Sequence, residues 1–396
     1  MESLKIAMFA WESLYSIKVG GLASVVSELS EAIVKKGHTV DIFTRRGGGQ
    51  KKFECINGVN YHRCFDEKFN PAIDLLGYFE RMSDAMVSAV LSTQEEFGKF
   101  DIIHIHDWHA INPTGKFNLI NSIPSIFTFH STEWGRSGNK FRKESLFKEI
   151  SKREQFSANN IDRVLTVSNT MKDEIIKHYK IPKQKIDVVP NGVVMQRFEK
   201  KVNPALVKQK HEIPSDSPVI LFIGRLTIQK GPDILIKAIP RVLDNREDVR
   251  FVIAGEGGMK KNLKALVKKV NIQEAVKFLG YIPMEDYLEL LNSCDIVCIP
   301  SRNEPFGLVL LEAWSAKRAV VASNVGGLSE NIENNYNGLK VSPTPNSVAE
   351  AINYLVNNPK KQKKLGEAGR DTVKKGFSWE AIATATIESY KNVINP

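Results

Sequence analysis

Arg225 and Lys230 stand four residues apart in Gly224-Arg-Leu-Thr-Ile-Gln-Lys-Gly231, directly after the apolar run Val219 to Ile223 and directly before Pro232. In open α/β sheets ligands bind beyond the carboxyl ends of strands, so a loop in this place carries both cations to such an end, beside the positive end of the next helix. A planar guanidinium fork and a point-charge ammonium there suit a diphosphate, and would stabilise negative charge growing on one as it departs. Two cations at this spacing are ordinarily solvated loop charges. The second run, Pro300-Ser-Arg-Asn-Glu-Pro-Phe-Gly-Leu-Val-Leu-Leu-Glu312, changes that weighing. Cys294 to Ile299 reads as a buried strand, and the turn after it places Glu304 at another carboxyl end, with Pro305 and Gly307 shaping the backbone. Glu312 lies eight residues on, about two helical turns away and on roughly the same face. One carboxylate can meet a sugar ring while the other takes the paired hydroxyls of a ribose.

Two further loops, Lys18-Val-Gly-Gly-Leu22 and Asn324-Val-Gly-Gly-Leu328, precede helical patterns. Paired glycines let backbone N–H groups approach an anion closely, although a tight turn needs them equally. His104-Ile-His-Asp-Trp-His109 ends a strand, and its H-x-H spacing puts two imidazoles on one face, as a metal site would. No second His/Asp cluster supplies the remaining ligands and no two aspartates are separated by one residue, so no metal is expected. His130 closes the strand-like Phe127-Thr-Phe and is either a ligand contact or a satisfied core histidine. Between Lys140 and Phe156, basic residues mix with Phe141, Leu146, Phe147, Ile150 and Phe156; an ordinary core-facing helix with a basic outer side is expected rather than a membrane-surface helix.

The elements that would position these residues repeat. Strand Lys5 to Ala10, a Gly-containing loop, an amphipathic helix from about Ala23 to Lys36, a stop at Gly37 and strand Thr39 to Thr44 form one βαβ unit. Strand Val219 to Ile223, the Gly224 to Gly231 loop, a helix entered through Pro232 and strand Val249 to Ala254 form another. Each opens a doubly wound domain with a parallel sheet covered on both faces. The polar stretch Glu199 to Pro218, with three prolines, reads as the linker. Ser378 to Ile394 reads as a docked helix with Trp379, Ile382, Ala383, Ile387, Tyr390 and Val393 at helical spacing.

A chain of 396 residues suits two such domains. Apolar residues make up 42% and charged residues 25%, and no apolar stretch is long enough to span a membrane. The first residues run straight into a strand pattern rather than a signal peptide, and Cys55, Cys64, Cys294 and Cys298 lack zinc or C-x-x-C spacing. They read as structural thiols in apolar settings, and the protein as cytoplasmic. The formal charge of +10 favours anionic partners, but the basic residues fall in scattered pairs without interleaved aromatics, so no nucleic-acid binding is expected.

The G-R-L-x3-K-G and E-P-F-G-x4-E motifs resemble those of the retaining glycosyltransferases of family 4, and the resemblance covers essentially the whole chain. It implies two Rossmann-like doubly wound α/β domains facing across a cleft (GT-B): 1–200 on the acceptor side, 201–377 for the nucleotide-sugar donor, and 378–396 as a helix crossing back to the first. It also implies that Arg225 and Lys230 bind the donor diphosphate, that Glu304 and His130 contact the hexose, and that Glu312 holds the ribose. Gly20, Gly21, Lys18, Phe306, Gly307, Gly326, Gly327 and Leu328 would complete the donor site, with His106, Asp107 and Trp108 lining the sugar cleft. The K-V-G-G-L and H-D-W-H runs resemble glycogen and starch synthases, which implies glucosyl transfer from ADP- or UDP-glucose to an α-1,4-glucan, with no cofactor. Mannosyl or glucosyl transfer to a lipid, small molecule or cell-surface glycan is the alternative. A nucleotide-sugar epimerase and a non-catalytic carbohydrate-binding protein are the remaining ones; a dehydrogenase would need a G-x-G-x-x-G that Ala10 to Gly21 lacks.

Overall fold

The computed structural model describes residues 3–395; Met1, Glu2 and Pro396, at the ends of the expected domain ranges, lie outside them. The chain divides into two compact units: of the described residues, 3–133, 141–192 and 379–395 form the first and 134–140 and 193–378 the second.

In the first unit the strands are β1 (Lys5–Phe9), β2 (Thr39–Arg45), β3 (Phe53–Ile56), β4 (Val59–Phe65), β5 (Ile102–His106), β6 (Ser125–Phe129), β7 (Arg163–Thr166) and β8 (Ile186–Val188). They form one sheet in the order β3-β4-β2-β1-β5-β6-β7-β8, parallel except for the edge hairpin of β3 with β4. The sheet of the second unit comprises β9 (Val219–Ile223), β10 (Arg250–Ala254), β11 (Val276–Gly280), β12 (Ile296–Ile299), β13 (Ala319–Ser323) and β14 (Leu339–Val341), all parallel, in the order β11-β10-β9-β12-β13-β14. Central strands such as Ile6–Phe9 and Ile296–Ile299 are buried at every position. That is why they read as continuous apolar runs: parallel strands are covered by helices on both faces.

Both sheets reverse their winding between two central strands, β1 and β5 in one and β9 and β12 in the other. Crossover helices leave in opposite directions there, and the carboxyl ends of the two strands open a crevice. The loops after β9 and β12 are those that carry Arg225 and Lys230, and Glu304. The loops after β1 and β5 carry the K-V-G-G-L run and Asp107. The helices after β1 and β9 run Gly21–Val34 and Pro232–Leu243, the second starting with a proline whose missing N–H costs nothing in a first turn.

The stretch expected to be a linker is structured. Residues 204–210 form a helix capped by Asn203, and Lys200 and Lys210 both reach Glu289, with Glu285 and Asp286 as further partners. Its prolines mark a helix start and turns within the second unit rather than a free tether. Cys55 also departs from expectation: it lies exposed on the edge strand β3, while Cys294 and Cys298 are buried, and all four are free thiols. The helix Ser145–Asn159 buries Ile150 and Ala158 together with Arg153, whose charge meets Glu80. Among the described residues no helix is long and apolar enough to cross a membrane.

The last helix, Trp379–Ile394, belongs to the first unit. Its Trp379 indole N–H donates to Glu28 at 2.6 Å, and Ile382, Ala383, Ile387 and Tyr390 are buried. The Tyr390 hydroxyl shares a hydrogen with Nδ1 of the buried His104 at 2.7 Å. Tyr390→Phe keeps the ring and strands a buried imidazole nitrogen, so urea unfolding should show a loss of about 1–3 kcal/mol; an unchanged midpoint would show that the bond holds nothing.

Candidate functional site

In the second unit the two motif loops are built as one body. The Lys230 ammonium donates to both Glu304 carboxylate oxygens, at 2.8 and 2.7 Å, and the Ser301 hydroxyl donates to Oε2 at 3.0 Å. Glu304 is buried. The connection extends behind the pair: the Arg302 fork meets both oxygens of Asp233 at 2.8 and 2.7 Å and its backbone N–H donates to the Gln229 carbonyl at 2.8 Å. Burial pushes the Asp233 carboxyl up, but the Arg302 guanidinium outweighs it and the net shift is downward, so the clamp stays charged. Gly231 makes the approach feasible. Its φ is +64° and a Cβ there would lie 2.1 Å from the Pro300 carbonyl oxygen, so only glycine lets the two loops close.

Arg225 is exposed at the start of the same loop. Glu312, on the helix Leu308–Ser315, accepts a hydrogen bond from Tyr287, a phenol kept neutral by burial and by that carboxylate. Gly326 and Gly327 serve packing. A Cβ on Gly326 would lie 1.9 Å from the Glu304 carbonyl oxygen, and the Gly327 N–H already donates to that oxygen at 2.9 Å. Gly327 gives its N–H to the backbone of Glu304 and so fixes that backbone. Phe306 and Leu328 are buried behind the turn, and Gly307, with φ +101°, leaves room for the Leu328 side chain.

In the first unit, Lys18 is exposed and the Val19 and Gly20 N–H groups both donate to the buried Glu12 carboxylate, at 2.7 and 2.6 Å. The first turn of helix Gly21–Val34 carries no side-chain cap, so Gly21 opens a helix end able to take an anion, whereas Gly20 is committed to Glu12. Sequence reasoning missed Glu12, Arg302, Asp233 and Tyr287. That it is the lone acid of the first loop was the only signal for Glu12; the others depend on pairings tens of residues apart.

His106 and Trp108 are buried, as is Asp107, whose carboxylate accepts the His130 backbone N–H at 2.9 Å. Asp107 sits at φ +59°, ψ +164°, a region populated almost only by glycine, and so stores strain at the end of β5. His106 Nδ1 and His130 Nε2 are 2.9 Å apart. Burial holds His104 and His130 down at about 3, and keeps His106 well below the ordinary imidazole value, with neighbouring imidazoles adding to it. Between about pH 3 and 6.5 the unfolded chain binds protons that the native state refuses. Stability should therefore be full above pH 6.5 and fall below it, by up to about 1.4 kcal/mol per pH unit for each histidine. Urea unfolding at pH 7, 6 and 5 measures this; a flat profile would mean that the cluster admits protons. Among the described residues no group of three or more His, Cys, Asp or Glu side chains is placed to hold a metal ion.

Two parallel doubly wound α/β units, each with chemistry-bearing loops at its switch point, define the GT-B class of glycosyltransferase. The Glycosyltransferase Family 4 pattern matches residues 19–197 and the Glycosyl transferases group 1 pattern residues 205–372. An uncharacterised glycosyltransferase of Methanocaldococcus jannaschii is 35% identical, with 98% of each chain covered. The chain belongs to this glycosyltransferase family. A glycogen synthase of Mycobacterium tuberculosis is 28% identical, covering 98% of this chain and 94% of its own. Among solved structures, sucrose-phosphate synthase from Thermosynechococcus elongatus superposes with a TM-score of 0.80 at 23% identity, covering 98% of each chain, and so shares the fold.

Proposed function

We propose that this glycosyltransferase moves a hexose, glucose in the first instance, from ADP- or UDP-glucose to an α-1,4-glucan with retained anomeric configuration. The observation that carries the donor half is the Lys230–Glu304 pair, a cation and a carboxylate locked together at the carboxyl ends of β9 and β12. When the donor binds, Lys230 and the exposed Arg225 turn to the diphosphate and Glu304 to the hexose. Charge on the departing diphosphate is met by the two cations, so the reaction needs neither a protein acid nor a metal ion. Glu312 takes the ribose hydroxyls while Tyr287 orients its carboxylate. His130 contacts the hexose. Retention is taken from the family, and the glucan acceptor rests on the K-V-G-G-L and H-D-W-H runs together with the whole-chain likeness to a glycogen synthase.

The test is an EDTA-containing panel of ADP- and UDP-linked glucose and mannose, offered with glycogen, with anionic vesicles and with no acceptor. Glycogen-dependent release of nucleoside diphosphate and a new α-1,4 linkage are expected. Activity only with vesicles would replace the glucan by a lipid acceptor. Conversion of the nucleotide sugar with no acceptor would make the protein an epimerase.

A further inference from the structure

The histidines at the ends of β5 and β6 form a directional hydrogen-bond system. His104 and His106, two residues apart on one face of β5, lie with ring centroids 4.1 Å apart. His104 uses both nitrogens, Nδ1 with Tyr390 at 2.7 Å and Nε2 with the Thr128 hydroxyl at 2.6 Å. His106 uses only Nδ1, towards His130 Nε2; its Nε2 is sealed from solvent and has no partner among the described residues. His130 is the partly exposed member, and its Nδ1 is neither bonded within the described residues nor sealed.

Each ring is neutral, held so by burial, and a neutral imidazole carries one N–H. If His130 donated through Nε2, the proton of His106 would have to sit on its sealed Nε2, as a buried N–H with no acceptor. If His106 donates through Nδ1, the sealed Nε2 is only an unused lone pair. Orphaned buried N–H groups are the rarer of the two defects and the costlier. We infer that His106 is a positioning residue that donates from Nδ1 to His130 Nε2 and so fixes His130 as the Nδ1–H tautomer, presenting a neutral N–H donor to an oxygen of the bound ligand. The hydrogen bond on one nitrogen thus decides what the other offers. His130 can then bond a sugar hydroxyl or the leaving oxygen, but cannot accept a proton from a nucleophile. The Asp107 carboxylate holds the same residue by its backbone. That the oxygen belongs to a hexose rests on the proposed function; the tautomer does not.

Two-bond ¹H–¹⁵N correlation spectra of ligand-free protein labelled with ring-¹⁵N histidine read the tautomer directly. His106 and His130 should both show a protonated Nδ1 and a bare Nε2; a protonated Nε2 on His130 overturns the inference. His106→Asn keeps an N–H near the Nδ1 position and should preserve the His130 signature. His106→Leu should release the tautomer and lower kcat by about tenfold or more, the scale of one positioned hydrogen bond, with donor KM unchanged. If His106→Leu changes neither, the inference is wrong; if it does not fold, the wild-type spectrum decides alone. A His130 Nδ1–H signature in a protein that transfers no hexose would sink the functional reading and leave the tautomer standing.

Discussion

Lys230→Ala should lower kcat/KM by about 10²- to 10³-fold, the usual loss when one positioned donor is removed from a developing anion. It should also destabilise the fold, because the buried Glu304 loses the ammonium that satisfies both its oxygens; a stranded buried carboxylate costs about 1–3 kcal/mol or more. The stability loss belongs to the stranded carboxylate, and the double variant Lys230→Ala/Glu304→Gln tests that separately from turnover. A neutral amide needs no counter-charge and can still accept from Ser301, so the urea midpoint should recover. Turnover should not recover, because neither the cation at the diphosphate nor the carboxylate at the hexose is restored. If the double variant regained activity, Lys230 would serve only to hold Glu304, and the cation's part in leaving-group stabilisation would be gone.

Gly326→Ala should inactivate the enzyme more than it unfolds it. The new Cβ would stand 1.9 Å from the Glu304 carbonyl oxygen at a backbone φ of +50°, where only glycine is at ease. Contacts below about 3 Å must open, and what must move is the backbone of Glu304 itself rather than a flexible side chain. A displacement of about 1 Å in a positioned group can cost about 10²-fold in rate. Gly258, where a Cβ would meet nothing within 4 Å, supplies the control: Gly258→Ala should leave kcat/KM unchanged. Equal activity losses in the two variants would refute the idea that close packing of the V-G-G-L loop sets the position of Glu304.

The sequence carried the repeated strand–loop–helix–strand pattern because parallel strands covered on both faces are continuously apolar, and their ends are punctuated by Gly231, Pro232 and Gly37. It carried the two motif loops for the same reason, since each follows such a strand. Strand order was not in it. That β9 and β12 are neighbours, and hence that Lys230 and Glu304 touch, follows from sheet winding across 74 residues of chain. The Arg302–Asp233 clamp and the Tyr390–His104 bond are invisible for the same cause, since each joins separate elements without periodic signature; the Glu12 contact to Val19 and Gly20 is local, but a loop carries no period that would announce it. The reading of Glu199 to Pro218 as a linker failed because polarity and prolines also describe an exposed helix tied down by ion pairs, as residues 204–210 are. The paired glycines show what a motif leaves unsaid. They pointed to the right loops, but Gly327 and Gly20 spend their N–H groups on Glu304 and Glu12 rather than keeping them for an anion.

The most direct test of the proposed donor site is calorimetric titration of the protein with UDP and with ADP in EDTA. The wild-type chain should bind at least one of them without metal, and Arg225→Ala/Lys230→Ala should weaken that binding by about 100-fold or more, as the loss of two charge-assisted contacts requires. Metal-dependent binding, or a double variant that binds as tightly as the wild type, would contradict it.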